Sequence, residues 1–262
     1  MRQASWLPSV EAMTRSPVAI VTGASRGLGH ALADALAAAG YTLIIDARNA
    51  LGLEASAATI RSRHDLPLRS VLAIPGDIAD PAHRAALAAA GADLGGVSLL
   101  VNNAGTLGVS PLPALADYPI AELRQTLEVN VIAPLALTQL LLPDLRAQGG
   151  AVLSVTSDAA VEAYAGWGGY GAAKAALEQA CNVLAAEEPA VRVWRVDPGD
   201  MRTQMHQEAF PGEDISDRPQ PEAVVPAFLR LIGERMPSGR YRAAELMPAP
   251  VVETTVAAEV SS

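Results

Sequence analysis

The chain has 262 residues, half of them hydrophobic and 18% charged, which is enough apolar material for one large buried core. Its 28 acidic residues outnumber 19 basic ones for a net charge of -9, the wrong sign for a partner built on a phosphate backbone. Cys181 is the single cysteine, which excludes a disulfide framework and any multi-cysteine metal site, and His30, His64, His83 and His206 show no ligand spacing. Neither nucleic acid nor a metal is expected as a partner.

The first sixteen residues hold no apolar run long enough for a signal peptide and read as an extension, with Met13 a candidate start. Apolar stretches further on are short and broken, and none approaches the roughly 20 residues of a membrane span. A cytoplasmic protein without a membrane partner is the expectation.

From residue 17 two periodicities alternate. Nearly continuous apolar runs at 18–21, 43–45, 71–74, 99–101, 152–155, 191–196 and, more weakly, 241–246 read as strands buried on both faces. Helical patterns at 28–39, 51–63, 81–90, 120–145, 168–187 and 221–232 lie between them. Strand and helix in alternation predict an α/β fold: one Rossmann-type, doubly wound parallel sheet of about seven strands with helices on both faces. One domain over 17–247 follows, with a tail at 248–262. Gly40 is expected to close a helix in the left-handed region, and Asp80-Pro81 to open one. The acidic, Pro-rich stretch 210–221 is either a lid over a site or a solvated connection.

The first strand runs into TGASRGLG, residues 22–29, which opens a helix. Glycines 23, 27 and 29 permit a tight turn and close approach of a bulky ligand, and the helix N-terminus offers N–H groups to a pyrophosphate. The spacing is TGxxxGxG. A structural turn is the alternative to a binding loop for this motif alone.

Further motifs follow in order: Gly76-Asp77 after the third strand, NNAG at 102–105 after the fourth, Asn130 in the long helix, Ser157 after the fifth, YGAAK with Tyr170 and Lys174, and PGDMRT after the sixth. Ser157 lies thirteen residues before Tyr170. Each motif is weak alone, but the ordered set resembles the short-chain dehydrogenase/reductase family over about residues 17–246. The stretches 166–177 and 185–193 are most similar to its sepiapterin reductase and benzil reductase branch, which reduces vicinal dicarbonyls.

The resemblance implies catalysis by Asn130, Ser157, Tyr170 and Lys174. It implies that a dinucleotide rests on Gly23, Ser25, Arg26, Gly27, Leu28 and Gly29 of the loop, with Asp77 and Ile78 at the adenine. Asn103, Ala104 and Gly105 would take the adenosine side, Tyr170 and Lys174 the nicotinamide ribose, and Pro198, Gly199 and Thr203 the nicotinamide carboxamide. Asn130 would hold a water linking Lys174 to solvent. The helices at 120–145 and 168–187 would form a subunit contact, giving a homodimer or homotetramer, although an intrachain face explains their apolar pattern too.

The chemistry asks for these residue types in its own right. Reduction of a carbonyl leaves an alkoxide that needs a proton, and a tyrosine, pKa about 10, can give it if its environment helps. Lysine one helical turn on, and an oxidised nicotinamide, would favour the phenolate. Ser157 would stabilise negative charge on the substrate oxygen. A small-molecule carbonyl or alcohol is the implied substrate. Leu107, Val161, Tyr164 and Trp167 point to an uncharged or aromatic one, while Asp158 either contacts it or caps. A dinucleotide-binding sensor without turnover is the rival reading, which the intact set of four disfavours.

Eighteen residues beyond Gly29, where NAD-specific relatives carry an acid, stands Ala47, followed by Arg48. Arg48 and Arg26 suit the 2′-phosphate of NADP, since guanidinium pairs with phosphate as a bidentate donor. NADP is therefore expected over NAD. Asp46 is the complication: it would either reach ribose hydroxyls, favouring NAD, or pair with Arg48.

Overall fold

The structure, a computed structural model, describes residues 16–247; the candidate start Met13, nearly all of the N-terminal extension and the tail at 248–262 lie outside them. Seven strands, β1 (Val18–Val21), β2 (Thr42–Ala47), β3 (Val71–Pro75), β4 (Leu99–Asn102), β5 (Ala151–Val155), β6 (Arg192–Asp197) and β7 (Gly239–Arg242), form one sheet. Their order is β3-β2-β1-β4-β5-β6-β7 and every pairing is parallel. The chain turns from one direction of the sheet to the other between β1 and β4, and such a switch point opens a crevice at the strands' carboxyl ends.

Alternate residues of each strand feed two cores. Ala19 and Val21 of β1 join helices α1 (Gly27–Ala38), α2 (Ala50–Arg63), α8 (Val225–Gly233) and α9 (Ala243–Leu246) on one face. Val18 and Ile20 join α3 (Pro81–Asp93), α5 (Ala133–Gln148) and α6 (Gly168–Glu187) on the other. Each fully buried Leu or Ile contributes about 1.5–3 kcal/mol, so many aliphatic residues replace the few aromatics. Helix ends form as the residues dictate: Asp80 accepts from Ala82 N–H at 2.9 Å ahead of Pro81, and Gly40 takes φ 88°.

Three elements differ from expectation. β7 begins and ends earlier than 241–246: Gly239–Arg242 pairs with β6, and the helix-favouring Ala-Ala-Glu-Leu that follows coils into α9. The segment expected as one helix over 120–145 is α4 (Ile120–Leu127), a π turn over Glu128–Ile132, and α5. Pro134 explains the turn, because it lacks the N–H that would bond the Asn130 carbonyl and its ring would crowd that carbonyl. A short helix, α7 (Gln204–Ala209), forms where the apolar pattern gave none; Thr203 caps it, accepting from His206 N–H at 3.1 Å.

The combined helical stretch Ile120–Gln148 is long and apolar enough to cross a membrane by length and composition, which the broken sequence pattern had hidden. Here Ala133, Leu137, Leu141 and Leu145 pack it on the sheet.

Candidate active site

The site collects at the carboxyl ends of β1, β4, β5 and β6. Gly23 leaves β1 with φ 69°, and a Cβ there would stand 2.9 Å from Ala104 Cα, so only glycine lets the two turns nest. Thr22 Oγ1 accepts from the N–H groups of Asn103 and Ala104, both at 3.0 Å, and Asn103 Nδ2 donates to Thr22 O at 2.9 Å. These bonds lash the glycine loop to the turn after β4. The N-cap residue of α1, Arg26, makes no side-chain cap, and among the described residues no side chain is bonded to the helix's first amides at the loop's mouth.

Asp46 is withdrawn from that mouth. It is 1% exposed; Oδ1 accepts from Gly23 N–H at 2.8 Å, and Oδ2 lies 3.1 Å from His83 Nε2. Neither the ribose contact nor the pairing with Arg48 holds, because both oxygens are already engaged inside the protein. Arg48 is exposed and has no ion pair or side-chain hydrogen bond among the described residues, while Arg26 donates to Gln204 on α7. Asp77 accepts from Ala79 N–H at 2.9 Å in its own turn, and Ile78 is buried beneath it. Ser25 is half-buried within the loop.

Asn130, on the π turn, is 1% exposed and pairs with the Thr106 backbone: Oδ1 accepts from its N–H at 2.9 Å and Nδ2 donates to its carbonyl at 2.8 Å. Between Asn130 and Lys174 lies Gly105, where a Cβ would stand 3.0 Å from Asn130 Oδ1 and 3.8 Å from Lys174 Nζ. The missing side chain keeps the amide and the amine facing across a gap.

Tyr170 and Lys174, one turn apart on α6, are both buried. Lys174 Nζ stands 5.6 Å from the Tyr170 ring centre and donates to Val155 O at 2.8 Å. Burial brings its pKa down to about 8, with Cys181 and Glu178 working the other way. Burial, then the charges of Asp197 and Asp158, hold the Tyr170 phenol well above its usual 10, and a hydrogen bond with Ser157 opposes them. The lowering expected from Lys174 together with an oxidised nicotinamide is not met by the protein alone, where desolvation and two carboxylates set the direction. Ser157 Oγ donates to Asp158 Oδ1 at 2.9 Å and accepts from Ala159 N–H at 3.2 Å.

After β6, Asp197 Oδ1 accepts from Gly199 N–H at 3.0 Å, setting a turn in which Gly199 takes φ 74°. Pro198 and Gly199 border a cavity of about 230 Å³ that Asp158, Glu162, Asp197, Arg242 and Ala244 complete. Thr203 faces the glycine loop: a Cβ on Gly27 would meet its Cγ2 at 3.7 Å.

A family model for short chain dehydrogenases matches residues 17–214. The chain belongs to this family. It is 35% identical over 210 residues to sepiapterin reductase of Meriones unguiculatus, covering 72% of this chain and 76% of that one. A Shigella flexneri short-chain dehydrogenase complexed with NADP superposes with a TM-score of 0.81 at 29% identity, covering 88% of this chain and 98% of the other. An alcohol dehydrogenase of Thermococcus sibiricus complexed with 5-hydroxy-NADP gives a TM-score of 0.78 at 25% identity, covering 90% and 100%.

In this short-chain dehydrogenase the four residues named for catalysis converge, but the expected apolar pocket forms only in part. Leu107, Ala159, Tyr170 and Ala209 cluster with Leu112, Trp167, Met205 and Phe210. Trp167 meets the Tyr170 ring edge-on at 5.7 Å and Phe210 at 5.9 Å. Val161 and Tyr164 stay outside, both exposed, and Tyr164 OH lies 3.0 Å from Asp158 Oδ2 and 3.0 Å from Glu162 Oε2, within reach of donating to either. The carboxylates of Glu162 and Asp158 push its phenol up to about 12.

Sequence reasoning missed the Asp46–His83 pair, Asp197, Arg240 and α7. It also missed a plain signal: Lys174 is the one lysine in the 262 residues, every other cationic side chain being arginine. A chain that uses arginine throughout and lysine once marks that position, since a buried ammonium tunes its proton affinity where guanidinium does not. Among the described residues no group of three His, Cys, Asp or Glu could hold a metal ion.

Proposed function

We propose that this short-chain dehydrogenase reduces a small carbonyl compound, or oxidises the corresponding alcohol, with NADP(H). The convergence of Ser157, Tyr170 and Lys174, with the Ser157 side chain beside the Tyr170 phenol and the lysine amine 5.6 Å from the Tyr170 ring centre, carries the reading. The open amides of α1 and the nested Gly23 and Ala104 turns fit a dinucleotide. Bound there, the reduced nicotinamide supplies hydride.

Tyr170 gives its proton to the substrate oxygen, and the positive charges of Lys174 and of the oxidised nicotinamide favour the phenolate that results. Ser157 turns its hydroxyl from Asp158 to that oxygen and stabilises the charge developing on it. Lys174 holds the ribose and, with Asn130 and a water between them, reprotonates Tyr170. Pro198, Gly199 and Thr203 orient the carboxamide. Trp167 and Phe210 cover the tyrosine and exclude water.

Arg48, which follows Ala47 and has no partner among the described residues, and the engagement of Asp46 by Gly23 and His83 support NADP over NAD. Likeness to sepiapterin reductase supports a vicinal dicarbonyl. The exposed Ile132, Leu135, Leu140 and Val183 on α5, its preceding turn and α6 support a homodimer or homotetramer, and a single buried free thiol suits the cytoplasm. The test is a panel of ketones, aldehydes and dicarbonyls with NADPH and with NADH, followed by loss of cofactor absorbance. Turnover of a dicarbonyl with NADPH is the expected result. Tight NADPH binding with no turnover of any substrate would establish a sensor instead.

A further inference from the structure

Arg240, on the outermost strand β7, reaches inward beneath the site. Its Nε pairs with Glu178 Oε1 at 3.0 Å, and its Nη2 donates to Ser157 O at 3.1 Å and approaches Asp197 Oδ2 at 3.4 Å. Each partner leads to a different part of the site. Ser157 O belongs to a residue whose side chain lies beside Tyr170. Asp197 holds Gly199 N–H with its other oxygen, fixing the turn at φ 74°. Glu178 lies one turn beyond Lys174 on α6 and also accepts from Thr156 Oγ1 at 2.7 Å.

We propose that Arg240 is the positioning residue that keeps Ser157, the Gly199 turn and the lysine face of α6 in one register. The assignment rests on the oxidoreductase reading above for its catalytic consequence, but not for its electrostatic one. A guanidinium suits this role because its planar fork meets three acceptors from three elements at once, whereas an ammonium is a point charge that cannot. It is partly screened, with 22% of its side chain exposed, so its worth lies in geometry and local charge more than in stability.

Two separable effects follow. The geometric one is alignment: without Arg240 the ends of β5 and β6 lose a shared anchor, and small displacements of reacting groups cost about ten- to a hundredfold in rate. The electrostatic one concerns Lys174. The groups facing its amine are Tyr170, Glu178 and Cys181 on α6, the Val155 carbonyl at the end of β5, and Asn130 across Gly105. Arg240 offsets the Glu178 charge, so removing it leaves that carboxylate free to hold the proton on Lys174.

The experiment compares wild type with Arg240→Met and Arg240→Lys. Because Lys174 is the one lysine, a protein labelled with 13C-lysine gives a single ε-methylene signal in wild type and Arg240→Met, and its pH titration reads the amine directly. In Arg240→Lys the second signal is assigned by its absence from the other two proteins. In Arg240→Met the midpoint moves up from about 8 toward 10.5. Its kcat falls about ten- to a hundredfold with little change in the KM for NADPH. Arg240→Lys restores the Lys174 titration, because it restores charge, but not kcat, because it cannot span three partners. Melting temperature is recorded for each; if the Met variant does not fold, the Lys variant alone decides by its kcat and unchanged titration. Arg240→Met with wild-type titration and wild-type kcat overturns the proposal, as does a kcat fully rescued by lysine. If wild type reduces no carbonyl, the functional reading fails, and the Lys174 titration still judges Arg240.

Discussion

Asp46 Oδ1 receives the Gly23 N–H at 2.8 Å while its Oδ2 faces His83 Nε2 at 3.1 Å, so a buried carboxylate ties the glycine loop to α3. A carboxylate so placed shapes the loop and does not touch ribose. Asp46→Ala should therefore weaken NADPH and NADH alike, by roughly ten- to a hundredfold, since it removes a charge-assisted bond worth about 1.5–3 kcal/mol and strands its two partners. Fluorescence titration of both cofactors checks this. Loss of NADH binding alone would show Asp46 acting on the ribose hydroxyls after all.

Arg48 is the opposite case, an exposed cation with no partner among the described residues. Arg48→Ala should weaken NADPH by roughly ten- to a hundredfold and leave NADH almost unchanged. It should also flatten the salt dependence of NADPH binding, because exposed charges are screened. Arg26 already donates to Gln204, so Arg26→Ala should cost less. Equal losses for both cofactors in Arg48→Ala would sink the phosphate assignment.

The strands were legible because a parallel sheet buried on both faces needs continuous Val, Ile and Leu, and few other elements do. The motifs were legible because glycine, tyrosine and lysine sit at strand ends where the backbone or the chemistry admits little else. What stayed hidden were pairings between residues far apart in sequence. Asp46 with His83 is 37 residues distant, and Arg240 with Ser157 is 83. Short-range pattern carries no trace of such contacts. Thus Asp46 read as a ribose ligand or a partner of Arg48, when burial had already assigned it to Gly23. The π turn at Glu128–Ile132 was hidden for a different reason: Pro134 marked a local break, but periodicity cannot say whether a helix kinks, ends or widens there.

Tyr170→Phe removes one hydroxyl from a ring that Trp167 and the apolar cluster continue to hold. The fold and cofactor affinity should survive. General acid catalysis typically contributes about 10²–10⁴-fold, so kcat should fall by that amount. A rate within a few-fold of wild type at saturating cofactor would remove Tyr170 from the proton-donor role. Trp167→Ala should leave the acid intact but loosen its cover, lowering kcat less and shifting the melting temperature more.

The buried amine makes stability depend on pH in a definite direction. Lys174 has a pKa of about 8 in the fold against 10.5 in the open chain, because burial disfavours its charge. Below pH 8 both states hold the proton and the native state bears the whole desolvation cost. Between about 8 and 10.5 the native state has released the proton and the unfolded chain has not, so the unfolded state binds more protons and stability rises with pH. At about 1.4 kcal/mol per tenfold change in proton affinity, the full gain approaches about 3.5 kcal/mol. Cys181 works oppositely, since burial raises its thiol and the unfolded chain ionises first. Lys174→Met keeps the cysteine and removes only the amine. Urea unfolding of both proteins from about pH 7 to 10.5 isolates the lysine. Wild type should gain on the variant through this window, whereas parallel profiles would mean that Lys174 titrates normally and is solvated.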